Sequence, residues 1–145
     1  MPTEFHLRVR AVIMQRGALL LAHKVGADNT FLPGGHVLPG EPLRASLERE
    51  LREELGVDAR AGAYLGAVEA SWEEGAIRQH EINHVFDTRV TGLTPDRPPP
   101  SMEPHLEFLW SALPDLDRHN LLPFPVRDLV RRRALGDAAI WWVSA

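Results

Sequence analysis

The feature that most limits how this chain can fold is an amphipathic helix, predicted from about Pro42 to Leu55. Pro42 suits the first helical position, because its missing N–H leaves no donor unsatisfied there. Gly56 suits the left-handed residue that follows a helix. Leucines recur at every fourth position and form one apolar stripe: Leu43, Leu47, Leu51 and Leu55. Because this stripe must be buried, it predicts that the helix packs on a sheet.

The remainder of the chain predicts mainly strands joined by turns. The predicted strands are His6–Gln15, Ala18–Lys24, Ala63–Ser71, His80–Val90 and Leu106–Ser111. The Arg16-Gly17 turn predicts that the first two strands form a hairpin. Loops are predicted at Asp28–Thr30 and at Pro33–Gly35.

Three features characterise the second half of the chain. Thr94–Pro104 is rich in proline, which excludes a central strand or a helix and predicts a loop. A second helix is predicted from Pro125 to Leu135, with Gly136 at its end. The tail Ile140–Val143 is so apolar that we expect it to pack on the core or on a second subunit.

Composition bounds the class of protein. The 145 residues fit one domain, 1–145, and the absence of cysteine excludes disulfides, thiolate metal sites and cysteine nucleophiles. A net charge of −4 gives no reason to expect binding to nucleic acid or to an anionic membrane. No apolar run is long enough to span a bilayer, and Met1–Arg10 lacks the apolar region of a signal peptide. We therefore expect a cytoplasmic protein.

Three carboxylates share one face of the predicted helix. Glu50, Glu53 and Glu54 fall within an arc of about 100°, and like charges so spaced cost roughly 0.2–0.5 kcal/mol per pair. A bound divalent cation reverses that sign. Oxygen ligands of this kind suit Mg²⁺, Mn²⁺ or Ca²⁺, and Mg²⁺ commonly completes its coordination with phosphate oxygens. The alternative is a solvated acidic face that pairs with neighbouring arginines: Arg44, Arg49 and Arg52.

The flanks of the helix favour the metal site. Gly34-Gly35 allows close approach of the backbone to a ligand, and the Gly35 carbonyl could add an oxygen ligand. Arg49 precedes Glu53 by four residues and can hold its carboxylate. Glu41 can reach Arg49 and close the glycine loop onto the helix.

Together these residues match a known pattern. The motif segment, Gly35–Val57 (GHVLPGEPLRASLERELREELGV), resembles the Nudix box and fills every fixed position of it. The residues that carry the resemblance are Gly35, Glu41, Arg49, Glu50, Leu51, Glu53, Glu54, Gly56 and Val57.

The resemblance implies an α/β (α+β) fold in which a mixed β-sheet is sandwiched between α-helices. It also implies that Glu50, Glu53 and Glu54 bind Mg²⁺, for which Mn²⁺ can substitute, with the Gly35 carbonyl as a further ligand. Arg49 would orient a glutamate. Glu41 and Gly56 would maintain the loop–helix geometry of the motif.

The chemistry implied is attack of water on phosphorus in a pyrophosphate bond. Glu53 is our first candidate for the catalytic base and Glu50 the second. Many members of the family add an acidic residue from a later loop, for which we rank Glu103 ahead of Glu107 and Glu81. The residues expected to contact the substrate are Gly34, Gly35 and Phe31, the last by stacking on a base.

The expected substrate is a small nucleotide: a nucleoside triphosphate, its oxidised form or a nucleotide sugar. Members that act on ADP-ribose or on dinucleoside polyphosphates carry a proline or a tyrosine downstream of the box, and Ser71–Glu74 contains neither. Dimers are common in the family, with the Trp141-Trp142 tail as the candidate contact.

Three other interpretations stay open on the sequence. A nucleotide-sensing module would bind without hydrolysis, although such modules usually have a damaged box. An isoprenoid diphosphate isomerase normally needs a cysteine, which the chain lacks. A purely structural acidic helix would show no Mg²⁺-dependent change in stability.

Overall fold

The computed structural model describes residues 1–145. Its elements, in chain order, are β1 (Thr3–Val12), β2 (Met14–Gln15), β3 (Ala18–Lys24), β4 (Thr30–Phe31), β5 (Gly34–His36), α1 (Leu43–Leu55), β6 (Ala59–Glu74), β7 (Ile77–Val90), β8 (Leu106–Ala112), α2 (Val126–Ala134) and β9 (Trp141–Ser144). Neither helix has the length and apolar character that crossing a bilayer requires.

The strands form two sheets. The larger has the order β5-β1-β7-β6-β9, in which β1 runs parallel to β7 and β6 parallel to β9, while the other pairs are antiparallel. In the smaller sheet, β3 pairs with β8 along one edge and with β2 and β4 along the other. This mixed sheet with two helices confirms the predicted α+β fold.

Each helix covers one of two apolar cores. The leucines of α1 pack with Val9, Ala11 and Phe86, whereas Val126, Leu129 and Val130 of α2 pack with Val12 and Val85. Strand β3 contributes Leu20 and Ala22 to the first core and Leu19 and Leu21 to the second. Because successive strand residues point to opposite faces, the helices lie on opposite sides of the sheets.

The N-terminal third differs from its predicted strand pairing. The strand expected at His6–Gln15 is divided into β1 and β2, and only β2 forms the hairpin with β3. The expected loop at Pro33–Gly35 instead contributes the start of β5, which pairs with β1, and Thr30 begins β4. A Cβ on Gly34 would lie 1.9 Å from the Val9 carbonyl oxygen, so this glycine serves close strand packing.

The other predicted elements are present with shifted bounds. Pro42 occupies the cap position before α1 and is therefore not the first helical residue, whereas Gly56 has the predicted left-handed conformation, with φ 67°. Strands β6 and β7 extend beyond Ala63–Ser71 and His80–Val90, because they form one long hairpin that turns at Gly75.

The bounds also shift near the C-terminus. Strand β8 extends one residue past Ser111, and α2 is one residue shorter than predicted at each end. The segment Thr94–Pro104 has no helix or strand, as predicted.

The apolar tail forms β9 on the edge of the larger sheet. Trp141 and Val143 pack against the α2 core, whereas Trp142 is 61 % exposed. The predicted packing of the tail on the core is confirmed, and a homodimer through Trp142 stays a prediction.

Candidate active site

A cleft of about 880 Å³ lies where α1 faces the strands of the larger sheet. Glu50 and Glu54 contribute from α1, and Gly34 and Gly35 contribute from β5. The floor is formed by polar side chains of β1 and β7: Arg8, Arg10 and Glu81. The cleft therefore has both carboxylates and guanidinium groups on its wall.

Glu54 is a buried carboxylate of this cleft that lacks a full set of hydrogen-bond partners. Its residue is only 7 % exposed, and Oε2 is buried without a hydrogen-bond partner. Burial raises the pKa of Glu54 to about 8, and the charges of Glu50 and Glu103 add to the increase, whereas Arg10 opposes it. A buried carboxylate with an unpartnered oxygen is costly unless it gains a proton or a cation.

Glu50 lies beside Glu54 and directly against the glycine strand. A Cβ on Gly35 would lie 2.5 Å from both Cδ and Oε2 of Glu50. Only glycine therefore accommodates the carboxylate in this position. Burial raises the pKa of Glu50, against the lowering influence of Arg49.

Arg49 ties the motif segment together. Its Nε donates to Glu41 Oε2 at 2.8 Å and its Nη2 to Glu41 Oε1 at 3.0 Å, which makes a bidentate pair. Nη2 also donates to the His36 carbonyl at 3.2 Å, at the end of β5. The hydrogen bonds from Arg49 lower the pKa of Glu41 to about 2. This geometry matches the role predicted for Glu41, closing the glycine loop onto α1.

Glu53 is placed differently from its two neighbours. Its side chain is 53 % exposed, and Oε2 accepts a hydrogen bond from Arg49 Nη1 at 3.2 Å. The same nitrogen donates to Glu50 Oε1 at 3.2 Å, so one donor lies between the two carboxylates. Glu53 does not line the cleft, and no three acidic or histidine side chains converge into a ready metal cluster.

The residues nevertheless fit a divalent cation. Glu54 offers an unpartnered buried oxygen, Glu50 lies next to it, and the donors are all hard carboxylates. Glu53, the residue before Glu54, lies on the exposed side of α1, where Arg49 holds its carboxylate.

The three glutamates considered as additional ligands lie in different environments. Glu103 lies close enough to Glu54 to raise its pKa, and the neighbouring Met102 N–H donates to the Glu54 carbonyl at 2.8 Å. Glu107 is bound to His23 at 2.6 Å on β8. Glu81 lines the cleft, but its carboxylate is paired with Arg8. Glu103 thus lies near Glu54 but does not line the cleft, and its role as a ligand stays a prediction.

The remaining predicted residues occupy the expected region. Phe31 lines the cleft, and the Arg10 guanidinium lies 5.1 Å from its ring centroid. Gly56 ends α1, with its N–H donating to the Arg52 carbonyl at 2.9 Å.

Several cleft residues were not predicted from the sequence. They are Arg8, Arg10, Trp72 and Phe124. The alternation in HLRVR carries a signal for the first two, since Arg8 and Arg10 must share one face of β1. Trp72 lies partly exposed at the cleft.

A second groove, of about 790 Å³, lies at the far ends of β6 and β7. Its walls include Asp58, Arg60, Asp87 and Arg89. None of the motif glutamates lines it, and Asp87 is already paired with Arg133 at 2.9 Å. We therefore assign the chemistry to the first cleft.

Known proteins resemble this chain in sequence and in fold. A family model described as the NUDIX domain matches residues 4–132. The CTP pyrophosphohydrolase of Escherichia coli (strain K12) is 43 % identical over 63 residues, which are 41 % of this chain and 47 % of that protein. The RNA pyrophosphohydrolase of Coxiella burnetii is 44 % identical over 63 residues, which are 42 % of this chain and 28 % of that protein. The chain thus spans less than half the length of either relative.

Solved structures show the same fold. The solution structure of the E. coli ORF135 protein has a TM-score of 0.62 at 24 % identity and covers 94 % of this chain and 96 % of its own. The crystal structure of a MutT NUDIX hydrolase from Burkholderia pseudomallei has a TM-score of 0.65 at 24 % identity. The match covers 88 % of this chain and 97 % of that chain. At this identity the likeness establishes the fold alone.

Proposed function

The chain belongs to the Nudix family, and on that premise we propose that it hydrolyses a pyrophosphate bond in a nucleoside diphosphate compound, with Mg²⁺ as cofactor and Mn²⁺ as its substitute. The observation that carries the proposal is the unpartnered, buried Glu54 oxygen beside Glu50 at the cleft. Such a carboxylate pair lowers the stability of the metal-free protein and suits a function that requires a cation.

Glu50 and Glu54 would hold the cation, with Glu53, Glu103 and the Gly35 carbonyl as further ligands. The cation would supply positive charge to the phosphate oxygens and lower the pKa of the attacking water. Glycine at position 35 keeps the Glu50 carboxylate in place, since any side chain there would displace it.

Arg49 orients the two candidate bases. Its Nη1 donates to both Glu53 and Glu50 at 3.2 Å, so one guanidinium group holds both carboxylates. Glu53 is our first candidate for the base that removes the proton of the attacking water, and Glu50 is the second. Loss of a general base typically costs about 10²–10⁴-fold in kcat. Near-normal kcat in Glu53→Gln or Glu50→Gln would remove that residue from the role.

We infer a small nucleotide as substrate: a nucleoside triphosphate, an oxidised nucleotide or a nucleotide sugar. The names of the two relatives, CTP pyrophosphohydrolase and RNA pyrophosphohydrolase, favour a nucleotide with adjacent phosphates. Partly exposed aromatic rings at the cleft, Trp72 and Phe124, offer surfaces on which a base can stack.

A substrate panel tests the proposed function. Nucleoside triphosphates, oxidised nucleotides, nucleotide sugars, ADP-ribose and diadenosine polyphosphates are incubated with Mg²⁺ or Mn²⁺, and phosphate and pyrophosphate release is measured. We expect turnover of at least one nucleoside triphosphate or nucleotide sugar, and its loss in Glu54→Gln. Tight nucleotide binding without release of either product under both metals would instead support the nucleotide-sensing module.

A further inference from the structure

A ladder of polar contacts joins β1 and β7 along the floor of the cleft. The two strands run parallel, and alternate residues of each face the same side. Three pairs of side chains make the rungs: His6 with Gln79, Arg8 with Glu81, and Arg10 with Asn83. Paired polar side chains are unusual in the middle of a sheet, because burial favours apolar residues there.

Arg10 is anchored to the protein by two hydrogen bonds. Its Nε donates to Asn83 Oδ1 at 3.2 Å and its Nη1 to the Leu32 carbonyl at 3.1 Å, while its guanidinium covers Phe31. Arg10 is buried, and the negative charges of Glu50 and Glu54 stabilise its positive charge. Arg10 is therefore a structural cation between the ladder and the acidic helix.

The Arg8 side chain, by contrast, donates no hydrogen bond within the protein. Its Nε lies 2.8 Å from Glu81 Oε2, but the N–H does not point at that oxygen, so Nε is buried without a hydrogen bond. The Arg8 side chain makes no other hydrogen bond and is 21 % exposed at the cleft. A guanidinium with free donors in a fixed place is suited to bidentate binding of a phosphate group.

Glu81 fixes Arg8 in this position. Its Oε1 accepts a hydrogen bond from Asn83 Nδ2 at 2.9 Å, and that amide also donates to the Val68 carbonyl at 3.3 Å. Glu81 is buried, so its charge is screened little by solvent. Glu81 therefore holds Arg8 by charge and leaves the guanidinium donors free for a ligand.

We propose that Arg8 binds the substrate phosphate group that is not held at the acidic helix, with Glu81 as its positioning residue. Arg8 lies two residues, a step of about 7 Å, along β1 from Arg10, which is the arginine on which the charges of Glu50 and Glu54 act. Arg8 would thus distinguish a diphosphate from a monophosphate. This inference rests on the proposed function, because it assigns one phosphate to the motif glutamates.

The test compares binding of two probes in the presence of Mg²⁺: a methylene-bridged nucleoside diphosphate, which resists hydrolysis, and the corresponding monophosphate. Calorimetry gives the Kd values, and kinetics on the best substrate of the panel gives KM and kcat. We expect Arg8→Gln to raise the Kd of the diphosphate analogue by about tenfold or more, as for loss of a charged hydrogen bond. The monophosphate affinity and kcat should stay near wild type, so the loss should appear in KM.

Two further variants separate binding from structure. Arg8→Gln leaves the buried Glu81 without its counter-charge, which lowers stability. The double variant Arg8→Gln/Glu81→Gln removes both charges and should fold normally yet bind the diphosphate as weakly as Arg8→Gln. Recovery of wild-type affinity in the double variant would mean that Arg8 acts only through the fold, and would overturn the inference. Arg78→Gln is the matched control, because Arg78 lies on β7, the strand of Glu81, but outside the cleft. This variant should bind both probes normally.

The outcomes distinguish this inference from the proposed function. If the wild type hydrolyses no compound of the panel but Arg8→Gln still weakens the diphosphate analogue, the proposed function fails and the Arg8 site stands. If the wild type is active and Arg8→Gln binds and turns over substrate normally, the Arg8 site alone fails. Wild-type protein that neither binds nor hydrolyses any probe contradicts both.

Discussion

The Glu50 carboxylate occupies the space that a side chain on Gly35 would need: a Cβ there would lie 2.5 Å from Glu50 Oε2. The glycine of the motif segment therefore determines where an acidic side chain of α1 can lie. Because Glu50 lies beside Glu54, which has an unpartnered oxygen, the contact links the glycine strand to the proposed metal site.

The first prediction follows from this contact. Gly35→Ala should displace the Glu50 carboxylate and lower kcat/KM by about 10²-fold, since displacements of 1 Å at a catalytic site can cost that much. Gly92→Ala is the control for an added methyl group that meets no neighbour: its Cβ would lie more than 4 Å from any other group, and its φ of 84° adds a backbone cost that Gly35 does not have. Equal activity losses in the two variants would refute the steric explanation.

The second prediction concerns Glu41 and acid stability. Its pKa is lowered from 4.5 to about 2, chiefly by the hydrogen bonds from Arg49. A lowered pKa means that the ionised group stabilises the fold above pH 4.5 and that this contribution is lost as the pH falls toward about 2. In Glu41→Gln, the free energy of unfolding should therefore depend less on pH across that window.

Urea unfolding at a series of acidic pH values measures the effect. Asp128→Asn, which removes an exposed carboxylate of α2, is the control. Its free energy of unfolding should depend on pH as steeply as that of the wild type. An identical slope in Glu41→Gln and wild type would show that the ion pair with Arg49 is not maintained in solution.

The third prediction concerns the leucine stripe. Leu51 is fully buried between α1 and the sheet, so Leu51→Ala should lower the free energy of unfolding by about 2–5 kcal/mol. Leu135→Ala truncates a leucine that is 88 % exposed and should change the free energy of unfolding by less than about 0.5 kcal/mol. Denaturant unfolding compares the two, and similar losses would contradict the packing described for α1.

The order of burial among the three motif glutamates was predictable from helix geometry. On a helical wheel Glu54 lies about 20° from Leu47, Glu50 about 60° and Glu53 about 120°. The structure follows this order, with Glu54 buried, Glu50 half-buried and Glu53 exposed. The mutual spacing of the three glutamates, from which the metal site was predicted, does not contain this relationship to the leucine stripe.

The polar ladder, in contrast, could not be derived from local sequence. The period of two in HLRVR and in QHEIN places the polar residues on one face of each strand. The contact of Arg8 with Glu81 depends on the parallel pairing of β1 with β7, and the whole motif segment and five strands lie between these two in sequence. Such non-local pairing is determined by the whole sheet, and the same limit explains why β5 was predicted as a loop.

The claim on which the proposed function depends is that Glu54 and Glu50 hold a divalent cation in the cleft. Crystals of wild type and Glu54→Gln, grown with Mn²⁺ and a non-hydrolysable nucleotide, would test it by anomalous diffraction. We predict a manganese peak at coordination distance from both carboxylates in the wild type, strongly reduced in the variant. Active wild-type protein whose crystals show no manganese in the cleft, with the Glu54 oxygen still unpartnered, would contradict it.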